Sequence, residues 1–375
     1  MNIGEFFFRA GCASALFACI AFASGRLSPT APAIAHETGA GSMTGSSSAE
    51  SGQSQSTTWA AIDTTGPNAA DRYRAAFKIM DARIASSGRW NPRHRELVAE
   101  FTRGNQDVVR AIIEATALPR CDWELALSDG PLTILEHLQP MQRAAMILEA
   151  DARAKTEAGD GVGAAMSLGA GLRLAAHFGQ DGLFLSSLCS ARLIDRFADA
   201  IGEAIDSGRS DERARSAIQR AIESLNPKDP CGFRRAIRGE RQCIVSWLRR
   251  ALAAPESSRR VDRILAESLS GDELARVQQE IRGASDPGGL KNLLARLEGA
   301  FTALEDAWAA NDPVARLGPL GERLNRGDFG SLAATFVAPM IKGQECCDQA
   351  VLTVGGLRSR LSARHASAPR MEARK

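Results

Sequence analysis

Residues 157 to 171 read EAGDGVGAAMSLGAG, and Gly159, Gly161 and Ala164 spell GxGxxA within them. That spacing lets a backbone approach a pyrophosphate at a helix N-terminus, so nucleotide binding is the first chemistry to test. Such a fingerprint needs a strand directly before its glycines. What precedes Gly159 is Met141 to Ala158, MQRAAMILEADARAKTEA, a run of strong helix formers. The context fails, and neither a nucleotide nor any other cofactor is expected. The remaining catalytic patterns fail as well. Glu136-His137 has no second histidine four residues on, so the HExxH metalloprotease motif is missing, and neither a GxSxG elbow nor a GxxxxGK loop occurs. His36 and His365 lie toward the chain ends. His177, in Ala175-Ala176-His177-Phe178-Gly179, reads as the end of a helix, where a partly charged imidazole suits the helix dipole. His94, His137 and Glu136 are left as the residues an enzyme of unrecognised type would use.

Two further sets of reactive or charged side chains stand out. Cys121, Cys189, Cys231, Cys243, Cys346 and Cys347 lie beyond the N-terminal region, and no CxxC occurs, so neither a zinc ribbon nor a thioredoxin-like motif is supported. Cys121, Cys189, Cys231 and Cys243 are the candidates for disulfides, against the alternative that the thiols are simply buried. At most one pair is expected within bonding range. Adjacent Cys346 and Cys347 on a helix point about 100° apart and do not bond to each other. The second set is CGFRRAIRGERQCIVSWLRR, Cys231 to Arg250. Phe233, Ile237, Ile244, Trp247 and Leu248 form a stripe to bury, while Arg234, Arg238 and Arg241 fall at i, i+4 and i+7 on another face. They form either an anion or acidic-partner surface, or a solvated face paired with acids such as Asp195, Asp199 and Glu203.

The elements that position these residues read as helices throughout. The chain has 375 residues, 44% hydrophobic but only 5% aromatic, with one tyrosine and a formal net charge of +2. The apolar content is carried by Ala and Leu, which favour helices, and the near-neutral balance gives no global field toward nucleic acid or an anionic membrane. Nucleic acid is not an expected partner. From about residue 68 to about 365, amphipathic segments follow one another. Ala75, Ile79 and Ile84 with Met80 form one stripe, and Val108, Val109, Ile112 and Ile113 another. Stops fall at Asn91-Pro92, Gly130-Pro131, Gly159-Asp160, Gly179 to Gly182, Ser207-Gly208 and Asp229-Pro230. Asp229 and Asp312 each read as an N-cap with proline at N1, and Ser270 with Glu273 as a capping box. DWELALS, residues 122 to 128, is the nearest approach to a strand and reads as a loop or single turn.

The ends read differently. Residues 1 to 23 carry an export signal: Arg9 closes a short n-region, and Ala10 to Ala23 is an uncharged apolar run ending in Ala21-Phe22-Ala23. Cleavage before Ser24, retention as an N-terminal anchor and lipidation at Cys19 are the competing outcomes, and only this segment would bring the chain to a membrane. Residues 24 to 66 are expected to form a disordered Ser/Gly/Thr/Pro-rich tether that cannot bury enough apolar surface to order itself, with Trp59 the one candidate in it for docking. Residues 67 to 365 form one helical domain, and 366 to 375 a basic flexible tail.

The opening motif therefore belongs to a helix-to-helix turn. Ala152, Gly159-Asp160, Ala164, Leu168 and Gly171 sit at the spacing of small and apolar residues in a tetratricopeptide-like hairpin, which this segment resembles. Asp151 and Lys155 occupy two positions that such a repeat fills with bulky residues, and no second copy follows at a period near 34. The expected fold is all-α, an irregular array or bundle of antiparallel helical hairpins, locally tetratricopeptide-like. Ala117 to Cys121 (ALPRC), Leu172 to Asp181 (LRLAAHFGQD), the Arg238-Gly-Glu-Arg241 helix and the Pro339 to Leu361 helix resemble segments of a group of exported, Ala- and Leu-rich helical bacterial proteins. Membership would imply an all-helical fold and export, and would carry over no catalytic residue. The expected function is an exported, periplasmic, secreted or envelope-anchored scaffold binding a protein or peptide partner. An envelope enzyme and a self-associating structural protein are the alternatives.

Overall fold

The computed structural model describes residues 66–253, 257–266, 269, 271–284, 286–310 and 312–367. The export signal, Cys19, His36, nearly all of the tether with Trp59, the Ser270 cap and the tail beyond Ser367 lie outside the described residues. Among those described, thirteen helices and no strand are found, so the fold is all-α. They are α1 (Ala69–Ser87), α2 (Arg95–Gly104), α3 (Gln106–Thr116), α4 (Leu138–Glu157), α5 (Gly161–Phe178), α6 (Phe184–Asp206) and α7 (Glu212–Glu223). There follow α8 (Phe233–Leu252), α9 (Ser257–Ala266), α10 (Gly271–Gly283), α11 (Pro287–Ala309), α12 (Pro313–Asn325) and α13 (Ser331–Ser367). DWELALS runs as irregular chain into a 3₁₀ turn at Leu127–Leu132.

Local side-chain caps start several helices. Asp160 accepts the Gly163 amide (2.8 Å), Asp211 that of Ala214 (2.7 Å) and Asp312 that of Ala315 (3.1 Å). Each satisfies a donor the first turn leaves free, a contribution of about 1 kcal/mol. Asp286-Pro287 repeats the Asp312-Pro313 device at α11, with the carboxylate accepting from both Gly288 and Gly289. Gly159 closes α4 at φ 79°, a conformation that costs a residue with a Cβ roughly 1 kcal/mol.

Three helices organise the packing. α5 lies against α3, α4, α6 and α7, and Ser167 through Leu172 are buried consecutively, so it presents no solvent face over that stretch. Glycines permit the approach: a Cβ on Gly171 would stand 2.1 Å from the Phe197 ring of α6, and one on Gly169 would stand 3.1 Å from Ala221 of α7. The long α13 runs along α6 and touches α7, α10, α11 and α12. α8 packs on the 3₁₀ turn and on α11. One connected cluster of buried side chains extends from Ala69 to Leu361.

Two sequence expectations are corrected. The buried stripe of α1 is Tyr73, Ala76, Phe77 and Met80, with Ile84 half-buried, whereas Ala75 is exposed and Ile79 is 43% exposed. Two aromatic rings at i and i+4 bury far more area than the aliphatic set and so set the rotation of the helix. At Asp229-Pro230 the cap forms but the helix starts later. Asp229 accepts the amides of Phe233 (2.7 Å) and Arg234 (3.0 Å), and Gly232 at φ 73° stands at the N-cap position. The turn is held open there because the Cys231 carbonyl crosses Gly179, where a Cβ would lie 2.2 Å from it.

Candidate functional site

The interior polar groups converge on the short turn between α5 and α6, residues 179 to 183. The Asp181 carboxylate is enclosed: Oδ1 accepts the Leu183 amide (2.9 Å), and Oδ2 accepts from His137 Nε2 (3.0 Å) and from the Ser186 hydroxyl. Trp123 stacks on the His137 ring at 4.6 Å, and Tyr73 and Phe77 stack on Trp123. Gln180 accepts the Cys121 amide (2.7 Å). From the other side, Glu240 of α8 accepts the Phe184 amide (3.0 Å) and so caps α6 in place of a local residue. A Cβ on Gly239 would meet the Gly182 carbonyl at 1.9 Å, so α8 rests directly on the turn's backbone. Gly343 of α13 lets the Phe184 ring approach in the same way. The segments ALPRC, LRLAAHFGQD, RGER and the C-terminal helix, far apart in the chain, meet here.

Burial sets the protonation of this junction. It lifts the Glu240 carboxyl to about 7, with the nearby Asp181 charge adding to the effect. It drops His177 to about 4. His177 Nδ1 accepts the Tyr73 hydroxyl (2.9 Å), and its other nitrogen donates to the Leu118 carbonyl. The expected charged cap at the end of α5 is therefore corrected: His177 is 3% exposed, neutral and fully hydrogen-bonded, because desolvation of an imidazolium outweighs its attraction to the helix dipole.

Ser186, His137 and Asp181 have the composition of a hydrolytic triad but not its geometry. The hydroxyl and the imidazole both address Asp181 Oδ2, so no base holds the serine proton, and Ser186 is fully buried. The arrangement fixes the α5–α6 turn. The structure also does not bring His94 and Glu136 into this site: both are exposed, at the N-cap of α2 and in the loop before α4, while His137 is enclosed. Among the described residues no group of three His, Cys, Asp or Glu side chains is placed to hold a metal ion. No described helix is long and apolar enough to cross a membrane.

A second buried carboxylate explains the departure from the tetratricopeptide-like pattern. Asp151 of α4 accepts from Ser167 (2.5 Å) and Gln106 (3.0 Å) and pairs with Lys155 (2.6 Å). The two positions that break the pattern thus form a polar clamp across α3, α4 and α5. The small residues at Ala152, Ala164 and Gly171 are buried as the hairpin requires.

The arginines of α8 split by face. Phe233, Ile237, Ile244, Trp247 and Leu248 are buried, and Phe233 packs on Trp308 of α11 at 4.3 Å. Arg238 pairs with Glu305, and Arg249 with Glu298 (3.2 Å), both acids on α11. Of the expected acids on α6, Glu203 pairs with Arg153 and Asp195 accepts the Thr353 hydroxyl, and no ion pair joins Asp199 to an α8 arginine among the described residues. Arg234 is exposed and Arg241 half-buried, and neither forms an ion pair among the described residues. Arg235, by contrast, turns inward toward Asp122 and Asp181.

No disulfide bond links any of the six described cysteines. Of the four candidate disulfide residues, Cys231 stands beside a cysteine outside that set, Cys347 of α13, with their sulfurs 2.9 Å apart. Cys189 instead meets Gln142, and burial lifts its thiol to about 12. A shallow groove of about 870 Å³ lies between α10 and α11, lined mainly by Gly and Ala with Asn292 and Phe329. Its charged residues are already committed, since Arg296 pairs with Glu280 (2.7 Å) and Glu280 caps α13 through the Leu332 amide (2.8 Å).

Sequence reasoning missed Glu240, Asp181 and Ser186. Glu240 carried a readable signal: it stands three residues after Ile237 and four before Ile244, on the stripe that α8 buries. No protein-family model matches the chain, and no curated protein or solved structure matches it either.

Proposed function

We propose that this chain is an exported, non-enzymatic helical scaffold that binds a protein or peptide partner carrying an acidic segment, through the outward face of α8. The observation that carries the reading is the division of polar groups. Side chains able to do acid–base or nucleophilic chemistry are used inside the fold as caps and pins, while on α8 Arg234, whose nearest acid Asp229 is spent on capping the helix, and Arg241 form no side-chain ion pair among the described residues. Cations spaced along one helix face form a surface that acidic segments select by charge, with the strongest effect on encounter rate.

The test is affinity capture from a cell-envelope extract with the wild-type chain and with the double variant Arg234→Glu/Arg241→Glu. Both side chains reach solvent, so the variant should keep the wild-type melting temperature. The expected result is a partner retained by the wild type, released as salt rises, and weakened at least about tenfold by the variant. Recovery of no partner, or of one indifferent to the charge reversal, would overturn the reading.

A further inference from the structure

We propose that Cys231 and Cys347 form a disulfide bond that ties the start of α8 to the middle of α13. The two sulfurs already stand 2.9 Å apart, although the residues are 116 positions apart in the chain. A covalent bond of about 2.05 Å requires closing them by less than about 1 Å, within the reach of side-chain rotation.

Both ends of the pair are held in place. Cys231 lies in a turn fixed by Asp229, which accepts the Phe233 and Arg234 amides, and its carbonyl is seated against Gly179. Cys347 projects from a helix packed along α6. Its neighbour Cys346 is half-buried and one residue round the helix, so it does not share this position. Cys231 is wholly buried and Cys347 is 2% exposed, so nothing in solution reaches either sulfur once the helices have packed. Burial and the adjacent Cys231 sulfur also push the Cys347 thiol well above the usual range, which removes the thiolate that exchange requires.

The bond must therefore form while α8 and α13 are still coming together. One cysteine thiolate attacks a small-molecule or protein disulfide, such as oxidised glutathione, giving a mixed disulfide and releasing one donor thiol. The second cysteine, as thiolate, then attacks the chain's sulfur in that mixed disulfide and releases the second donor thiol. Two electrons pass from the chain to the donor, and the two protons lost by the cysteines end on the donor's thiols. Packing then encloses the product. The proposal is independent of the arginine face.

The experiment refolds the full chain in a buffer of oxidised and reduced glutathione, quenches it with acid, digests it with trypsin without reduction and maps the peptides by mass spectrometry. The expected product joins the peptide Asp229–Arg234 to the peptide Gly343–Arg358. Two fewer thiols per chain should react with a thiol reagent after denaturation. The link should survive Cys346→Ser and vanish in Cys347→Ser, and the oxidised wild type should melt higher than the reduced form by about 5 to 10 °C. Finding Cys231 as a free thiol after such refolding, or joined to Cys346 or to any other cysteine, would overturn the proposal. Fragmentation of the linked wild-type peptide between Cys346 and Cys347 identifies which of the two is bonded, so the test stands even if the variants do not fold.

Discussion

The α4–α5 turn and the α5–α6 turn both reverse the chain within a few residues of glycine and aspartate, yet they are stabilised in opposite ways. At the first, Gly159 and Asp160 do the work locally: the glycine takes a positive φ and the aspartate caps the helix that follows it. At the second, Asp181 and the backbone of Gly179 to Gly182 are held by residues from the loop before α4, from α6 and from α8. The first turn is the more tolerant, because the side chain that reaches it from elsewhere, Arg209 donating to the Thr156 and Glu157 carbonyls, is solvent-exposed. A turn built by tertiary contact is rigid, because each group there would lose several partners at once.

Substitution of the glycines gives the sharpest contrast. Gly239→Ala would place its Cβ 1.9 Å from the Gly182 carbonyl, and backbone cannot swing aside, so a loss of more than about 3 kcal/mol is expected. Gly159→Ala meets no atom within 4 Å and suffers only the strain of its φ, about 1 kcal/mol. Urea unfolding followed by circular dichroism measures both, and equal losses would break the comparison.

The aspartates repeat it on a smaller scale. Asp181→Ala leaves His137 Nε2, the Ser186 hydroxyl and the Leu183 amide without their acceptor, for a loss of about 3 kcal/mol. Asp160→Ala removes one exposed cap and costs about 1 kcal/mol. Should Asp160 prove the more costly, the junction would not be the rigid element of the fold.

A pH series sharpens the comparison further, since the junction alone holds strongly shifted groups on α5 and α8. With Glu240 at about 7 against an ordinary 4.5, the fold keeps its proton while the unfolded chain ionises, so stability falls as pH rises from about 4.5 and the loss is complete above about 7. His177 acts in the opposite sense: its contribution is present above 6.5 and is lost as pH falls toward about 4. Glu240→Gln keeps a carbonyl to accept the Phe184 amide and cannot ionise. Its advantage over the wild type should be absent at pH 4 and grow to at most about 3 kcal/mol by pH 8. An advantage independent of pH would mean that Glu240 is not buried as a carboxyl.

The same contrast separates what was legible in the residues from what was not. The helices, most of their stops, the Asp312-Pro313 start and the helix-to-helix turn at Gly159-Asp160 follow from short-range rules. Expectations resting on the choice among similar faces fared worse. The buried stripe of α1 falls on Tyr73 and Phe77 rather than Ala75 and Ile79, and the acids paired with the α8 arginines lie on α11 rather than α6.

The sequence by itself determined an all-helical chain, where most helices begin and end, and the absence of the familiar catalytic motifs, because capping, propensity and periodicity act over a few residues. Only the tertiary structure decided that His137, Ser186 and Glu240 meet at one turn, that His177 is neutral, and that Cys231 faces Cys347. Those outcomes depend on which helix faces which, and that is set by the summed burial of residues more than a hundred positions apart.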